Sequence, residues 1–134
     1  MLKKIDHIGI AVKDIEESAK FYRDMLGMEF IGIEEVADQK VKVAFFQIGE
    51  THIELVCPTS DESAVAKHLE KKGEGIHHIC YATDDIVAEI KNLKDKGARL
   101  VDEVPRTGAH GAKIAFIHPK TSKGVLTELS QTQK

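Results

Sequence analysis

Tryptophan is absent and aromatic residues make up only 5% of the chain, so the stacking platforms of single-strand nucleic acid binders are missing. Long blocks of one charge are missing too. The 19 basic and 22 acidic residues are interspersed, for a formal net charge of -3, which excludes the basic stripe that a DNA or RNA partner requires. Cysteine is scarce: Cys57 and Cys80 have no CxxC spacing and are too few for a disulfide framework. Each lies in an apolar run, where a small buried thiol packs well. No apolar run is long enough to span a bilayer, and the opening MLKKIDHIGIAV is broken by Asp6 and His7. It reads as neither a signal peptide nor a membrane span, so no membrane partner is expected and the default location is a reducing cytoplasm.

What the chain does have is a soluble composition, 42% hydrophobic and 31% charged over 134 residues, enough for one domain with a real core. Within it a unit recurs. HIGIAVKDI (7–15) and HICYATDDI (78–86) match in register at an offset of 71, and each leads into an amphipathic stretch that stops at a glycine, Gly27 or Gly97. HIELVCP (52–58) and VLTELSQ (125–131) then place Glu54 and Glu128 beside leucine, 74 residues apart.

Periodicity supplies the elements. Residues 5–12 alternate as a half-buried strand does. Asp14 reads as a helix N-cap with Glu17 completing a capping box, Ile15, Ala19, Tyr22 and Leu26 fall at helical spacing, and Gly27 ends the helix. β-rich runs follow at about 28–36, 40–48 and 51–57. The second half repeats the order: a strand near 76–83, a helix from Asp84 or Asp85 to Gly97, and strands near 98–104, 112–118 and 124–130. Residues 105–111, PRTGAHG, read as a loop. The organisation expected is α+β, a single domain of two tandem βαβββ modules (about 1–58 and 75–131) joined by a linking helix at about 60–73.

The repeat selects a set of donors. His7 and His78 hold equivalent places on the first strand of each half, and Glu54 and Glu128 on the last. A pseudo-twofold relation between halves would bring all four to one divalent ion. Two imidazoles and two carboxylates suit Co, Ni, Mn, Fe or Zn, and leave positions for water or substrate oxygens. A lone histidine at a strand start is ordinarily a surface or hydrogen-bonded residue; two register-matched pairs are harder to ascribe to chance. His77 competes with His78, but alternation puts it on the other face, and only His78 aligns with His7. His52 shares a face with Glu54, His68 falls on the linking helix, His110 lies in the glycine-bearing loop, and His118 precedes Pro119.

IDHIGIAVKDI, GIHHICYATDDI and HPKTSKGVLTEL together resemble the methylmalonyl-CoA epimerases of the vicinal oxygen chelate (glyoxalase-like) superfamily, from Ile5 to about Leu129. The resemblance implies paired βαβββ modules forming a metal-containing cleft, usually in a homodimer, with cobalt (Co2+) or an alternative such as Mn2+, Ni2+ or Zn2+. It maps the metal ligands to His7, Glu54, His78 and Glu128, the four that the repeat selects. Two departures stand out. Some epimerases carry Gln where this chain has Glu54, and some carry a catalytic glutamate where QKVKVAF has Val43.

The implied reaction interconverts (R)- and (S)-methylmalonyl-CoA by moving the C2 proton, with an enolate stabilised through chelation of two substrate oxygens. Epimerisation takes a proton from one face and returns it to the other. Glu128 is the expected base on one face, and Glu54 on the other because Val43 cannot act. For the CoA phosphates the candidates are Arg106, Lys113, Lys120 and Lys123 near the late loops, and His110, in the glycine-bearing loop, is a candidate contact to substrate. The alternatives are a lactoylglutathione lyase, which shares the ligand set, an extradiol dioxygenase, and a metal-free small-molecule-binding module of the same fold.

Overall fold

The structure is a computed structural model and describes residues 1–132. It divides into two compact units, one of His7–His77 and one combining Met1–Asp6 with the chain from His78 onward. The division cuts two strands, β1 (Leu2–Ala11) and β5 (Gly75–Thr83). No helix among the described residues is long and apolar enough to cross a membrane.

In the unit His7–His77, β1 runs parallel to β4 (Thr51–Pro58), which pairs antiparallel with β3 (Val41–Ile48), and β3 in turn with β2 (Glu29–Val36). A parallel pair needs a crossover, and the intervening helix and strands supply it. The helix begins as α1 (Ile15–Ala19), with the Asp14 carboxylate accepting from Glu17 N–H as a cap. It does not continue as an α-helix to Gly27. From Lys20 to Met25 it is a π-helix, and Leu26 N–H bonds to Phe21 O at 2.9 Å. Tyr22 stays on the core side there, its ring centroid 5.9 Å from that of Phe46. Gly27 then takes the left-handed conformation (φ 74°) that closes the helix. The core is Val12, Ala19, Ala44, Phe46 and Leu55. The linking helix is α2 (Ala64–Lys72), capped by Ser63 and ended by Gly73.

The other unit repeats this plan. β5 is parallel to β8 (Thr127–Gln131), β8 antiparallel to β7 (Lys113–Ile117), and β7 to the two-residue β6 (Arg106–Thr107). Helix α3 (Ile86–Asp95) is capped by Asp85, 71 residues after Asp14, and packs Ile86 and Ile90 against Ala115, Ile117 and Leu129.

One expectation fails here. Residues 98–104 do not form a strand; Leu100 makes an isolated bridge to Ile117, and the short strand lies instead at Arg106–Thr107, inside the expected loop. The cause is a bulge. Val101 N–H and Asp102 N–H both donate to Phe116 O, at 3.0 and 3.1 Å, while the Phe116 N–H donates to the Asp102 carboxylate at 2.9 Å. A side chain thus takes the place of a ladder carbonyl, and Pro105 has no N–H with which to resume pairing. The irregularity recurs in the first half: β2 skips Ile31 between Phe30 and Gly32, and 31 plus 71 is 102.

The ladders also explain why the repeat offset changes from 71 to 74. Phe45 opposes Glu54, nine residues on; Phe116 opposes Glu128, twelve residues on. The three extra residues lie in the connection between β7 and β8, so paired positions match despite the shift.

Candidate metal centre

Each unit builds one buried His–Glu pair from the same parts. In the parallel ladder of the first, Gly9 opposes Glu54, and His7 stands two residues before Gly9 on the same face. In the second, Cys80 opposes Glu128, and His78 stands two residues before Cys80. Register alone therefore aims each histidine at the glutamate of the neighbouring strand. His7 Nδ1 lies 3.1 Å from Glu54 Oε2, and His78 Nε2 lies 3.0 Å from Glu128 Oε1. All four residues are 5–7% exposed. A carboxylate held this far from water requires a compensating charge or proton. Imidazole beside carboxylate is donor chemistry that fits a divalent cation of intermediate hardness.

The surroundings fix these pairs. Phe45 lies opposite Glu54 and Phe116 opposite Glu128. Phe116 is edge-on to the His78 ring, with centroids 5.6 Å apart. Arg106, opposite Ile114 in the ladder, shares the face of Phe116 and stacks its guanidinium 5.6 Å from that ring. Asp102 Oδ1 sits 3.3 Å from Arg106 Nε, although that nitrogen makes no well-directed hydrogen bond.

Among the other candidates, His110 is exposed at a left-handed position (φ 58°) in the turn Ala109–Gly111. Lys113 opposes Gln131 and projects to the α3 face, away from His78 and Glu128. His52 opposes His7, with its Nε2 2.7 Å from Gln47 Oε1. His77 packs edge-on against His68 of α2, centroids 4.8 Å apart. His118 Nδ1 accepts the Lys120 N–H at 3.0 Å, so it shapes its own loop. Val43 is buried and opposes Val56, which puts an apolar side chain on the face of Glu54. Pattern reading passed over Cys80 and Ser130, both buried on the face of His78 and Glu128. Strict alternation from those two residues would have found them.

The family model of the Glyoxalase/Bleomycin resistance protein/Dioxygenase superfamily matches residues 6–116. An ethylmalonyl-CoA/methylmalonyl-CoA epimerase of Cereibacter sphaeroides is 42% identical over 133 residues, covering 98% of this chain and 99% of that protein. The mitochondrial methylmalonyl-CoA epimerase of Homo sapiens is 40% identical over 131 residues, covering 97% of this chain and 74% of that one. A solved methylmalonyl-CoA epimerase in complex with methylmalonyl-CoA and NH4+ superposes with a TM-score of 0.95 at 41% identity, covering 98% and 96% of the two chains. The chain belongs to the glyoxalase/bleomycin resistance protein/dioxygenase superfamily, within its methylmalonyl-CoA epimerase family, and has that α+β fold.

Proposed function

We propose that this protein is a methylmalonyl-CoA epimerase acting as one domain of two tandem modules, with His7, Glu54, His78 and Glu128 holding a single divalent ion. The observation that carries the reading is the repeated pair, a buried imidazole 3.0–3.1 Å from a buried carboxylate at matching ladder positions. Two donors are too few for a divalent site of this kind, and two pairs make four. Cobalt is the ion proposed, and when bound it supplies Lewis-acid polarisation of the carbonyl beside C2.

The proton work falls to side chains. Glu128 takes or returns the C2 proton on one side of the substrate and Glu54 on the other, since Val43 offers no proton acceptor. Phe45 and Phe116, opposite the two carboxylates in their ladders, limit the access of water to them. Arg106, fixed on Phe116, binds an oxygen of the acyl-CoA substrate. His110, at its exposed turn, is a second contact proposed for substrate. The exposed apolar side chains Phe21, Met25, Leu26, Phe30, Ile31 and Ile33 support a homodimer that would cover them. Cys57 and Cys80 are unbridged thiols, which suits a cytoplasmic protein.

The test is C2 exchange in deuterated water with metal-loaded protein and (S)-methylmalonyl-CoA. Exchange is expected in the wild type, with a loss of about 100-fold or more in Glu128→Gln and in Glu54→Gln. Unchanged exchange in Glu54→Gln would remove that residue from the proton path, and no exchange in the wild type would sink the assignment. One observation favours a second reading: a glutamate at position 54, as in the glyoxalase I ligand set. Lactoylglutathione formation from methylglyoxal and glutathione by the same sample would establish it.

A further inference from the structure

The bulge in β2 decides where a carboxylate points. Phe30 opposes Phe46 in β3, but the next pair is Gly32 with Phe45, so Ile31 is left out of the ladder. Gly32 takes up the break at φ 154°, a conformation that side chains rarely adopt. Counted from Phe30 without the break, Glu34 would oppose Lys42, on the face that Ala44 and Phe46 turn to the core. With the break, Glu34 opposes Val43. A shift of one residue turns a side chain to the other face of a sheet. The bulge therefore takes Glu34 away from a lysine and puts it on the face of Glu54.

Val43 opposes Val56, and Phe45, two residues along, opposes Glu54, so these four side chains and Glu34 share one face. Val43, Phe45 and Val56 are buried, whereas Glu34 is half-buried. The other unit shows how far a side chain reaches from this ladder position. Arg106 opposes Ile114, and Ile114 and Phe116 stand 71 residues after Val43 and Phe45. The Arg106 guanidinium lies 5.6 Å from the centre of the Phe116 ring, which opposes Glu128. Glu34 holds the matching place before Phe45 and Glu54. Two strand spacings, about 10 Å, separate the backbones of Glu34 and Glu54 across the sheet, which admits a small acyl group between two carboxylates. Glu34 belongs to no cluster of potential metal donors among the described residues.

We propose that Glu34 is a further catalytic carboxylate, a proton acceptor that shares the Glu54 side of the substrate. The inference rests on the epimerase reading for its substrate. An ion ligand such as Glu54 loosens its hold on the ion whenever it takes up a proton, and Glu34 carries no such cost. The C2–H bond breaks, its electron pair passes into the enolate with the charge on the thioester oxygen, and the proton forms an O–H bond on Glu34. A proton from Glu128 then returns to C2 and completes the inversion. Glu34, half-buried, gives its own proton back to water.

The test follows C2 exchange in deuterated water from (R)- and (S)-methylmalonyl-CoA separately, using metal-loaded full-length protein and Glu34→Gln. Glu35→Gln is the control, because Glu35 is exposed and opposes Lys42 on the other face. Glu34→Gln is expected to slow exchange of one isomer about tenfold or more and to leave the other within about twofold. The loss stays below that of a lone base because Glu54 still acts. Ion content and Tm should match the wild type, and Glu34→Asp should keep part of the lost rate. Unchanged exchange of both isomers in Glu34→Gln would overturn the inference. So would equal slowing of both isomers, or loss of the ion, because Glu34 would then act on the structure or the ion and not on C2. A one-sided loss in Glu35→Gln would overturn the assignment of faces. If the wild type exchanges neither isomer, the epimerase reading falls and takes Glu34 with it, a result distinct from a wild type and a Glu34→Gln variant that exchange both equally well.

Discussion

Asp102 stands where a ladder carbonyl would otherwise be, and replacing it measures how much that arrangement stabilises the unit. Its carboxylate accepts the Phe116 N–H at 2.9 Å and lies 3.3 Å from Arg106 Nε. In Asp102→Ala the buried Phe116 N–H loses its acceptor. A hydrogen bond to a charged group contributes about 1.5–3 kcal/mol, and a half-exposed ion pair such as that with Arg106 adds roughly 0–1 kcal/mol. The expected destabilisation is about 2–3 kcal/mol, which lowers Tm by roughly 8 °C in a chain of this size. Asp102→Asn keeps an acceptor oxygen and loses only the charge, so its cost is about 1 kcal/mol or less. Urea unfolding followed by circular dichroism gives both values, with m unchanged between variants. Activity should follow stability imperfectly, because Phe116 and Arg106 sit beside His78 and their disorder raises KM. If Ala and Asn variants both cost under about 0.5 kcal/mol, Asp102 is not what holds the bulge, and Pro105 becomes the sole cause of the broken strand.

Other outcomes follow from single contacts. A Cβ on Gly108 would come within 3.0 Å of both Cδ1 and Cγ2 of Ile114, so Gly108→Ala should destabilise by about 1–3 kcal/mol through overpacking, read by thermal melts. Ile114→Val in the same background should recover part of that loss. His118 has a pKa below its ordinary value, through burial first and then the nearby Arg99 and Lys120 cations. Its folded-state pKa is therefore lower than its unfolded one, so the neutral ring stabilises the loop fully above the unfolded value near 6.5 and progressively less as pH falls through the folded value. Amide exchange at Lys120, corrected for intrinsic rates, should accelerate on acidification through that range, and a flat profile would refute the Nδ1 acceptor role. Chelator treatment should lower Tm and restored divalent ion should recover it, by about 2.7 kcal/mol at an ion concentration 100 times Kd; an unchanged melt would count against the four-donor site.

The His–Glu pairs were legible because strand alternation and register are written directly in the residue pattern. His78 aligned with His7, and the parallel ladders repeat that alignment through Gly9 opposite Glu54 and Cys80 opposite Glu128. The N-caps Asp14 and Asp85 were legible for the same local reason. Residues 98–104 misled, since their β-rich composition gives no sign that the Asp102 carboxylate would capture a backbone N–H from Phe116, fourteen residues away. The π-helix at Lys20–Met25 was hidden as well: one extra residue per turn hardly disturbs an amphipathic pattern over six residues. Lys120 and Lys123 could be suspected from the sequence, but only the fold brings Lys96 and Arg99 to them.

The three additional residues between β7 and β8 say where this polypeptide can absorb change. Inserted within a strand, an odd number of residues would have turned Glu128 to the opposite face of its sheet. Accommodated in the connection, they left every paired position where its counterpart in the first half stands. Length there is uncoupled from chemistry, so a reporter peptide or new chain termini placed beside Gly124 should leave the His78–Glu128 geometry intact. The same graft after Phe116 would not, and the difference marks the border between the part of the chain that evolution can lengthen and the part it can only substitute.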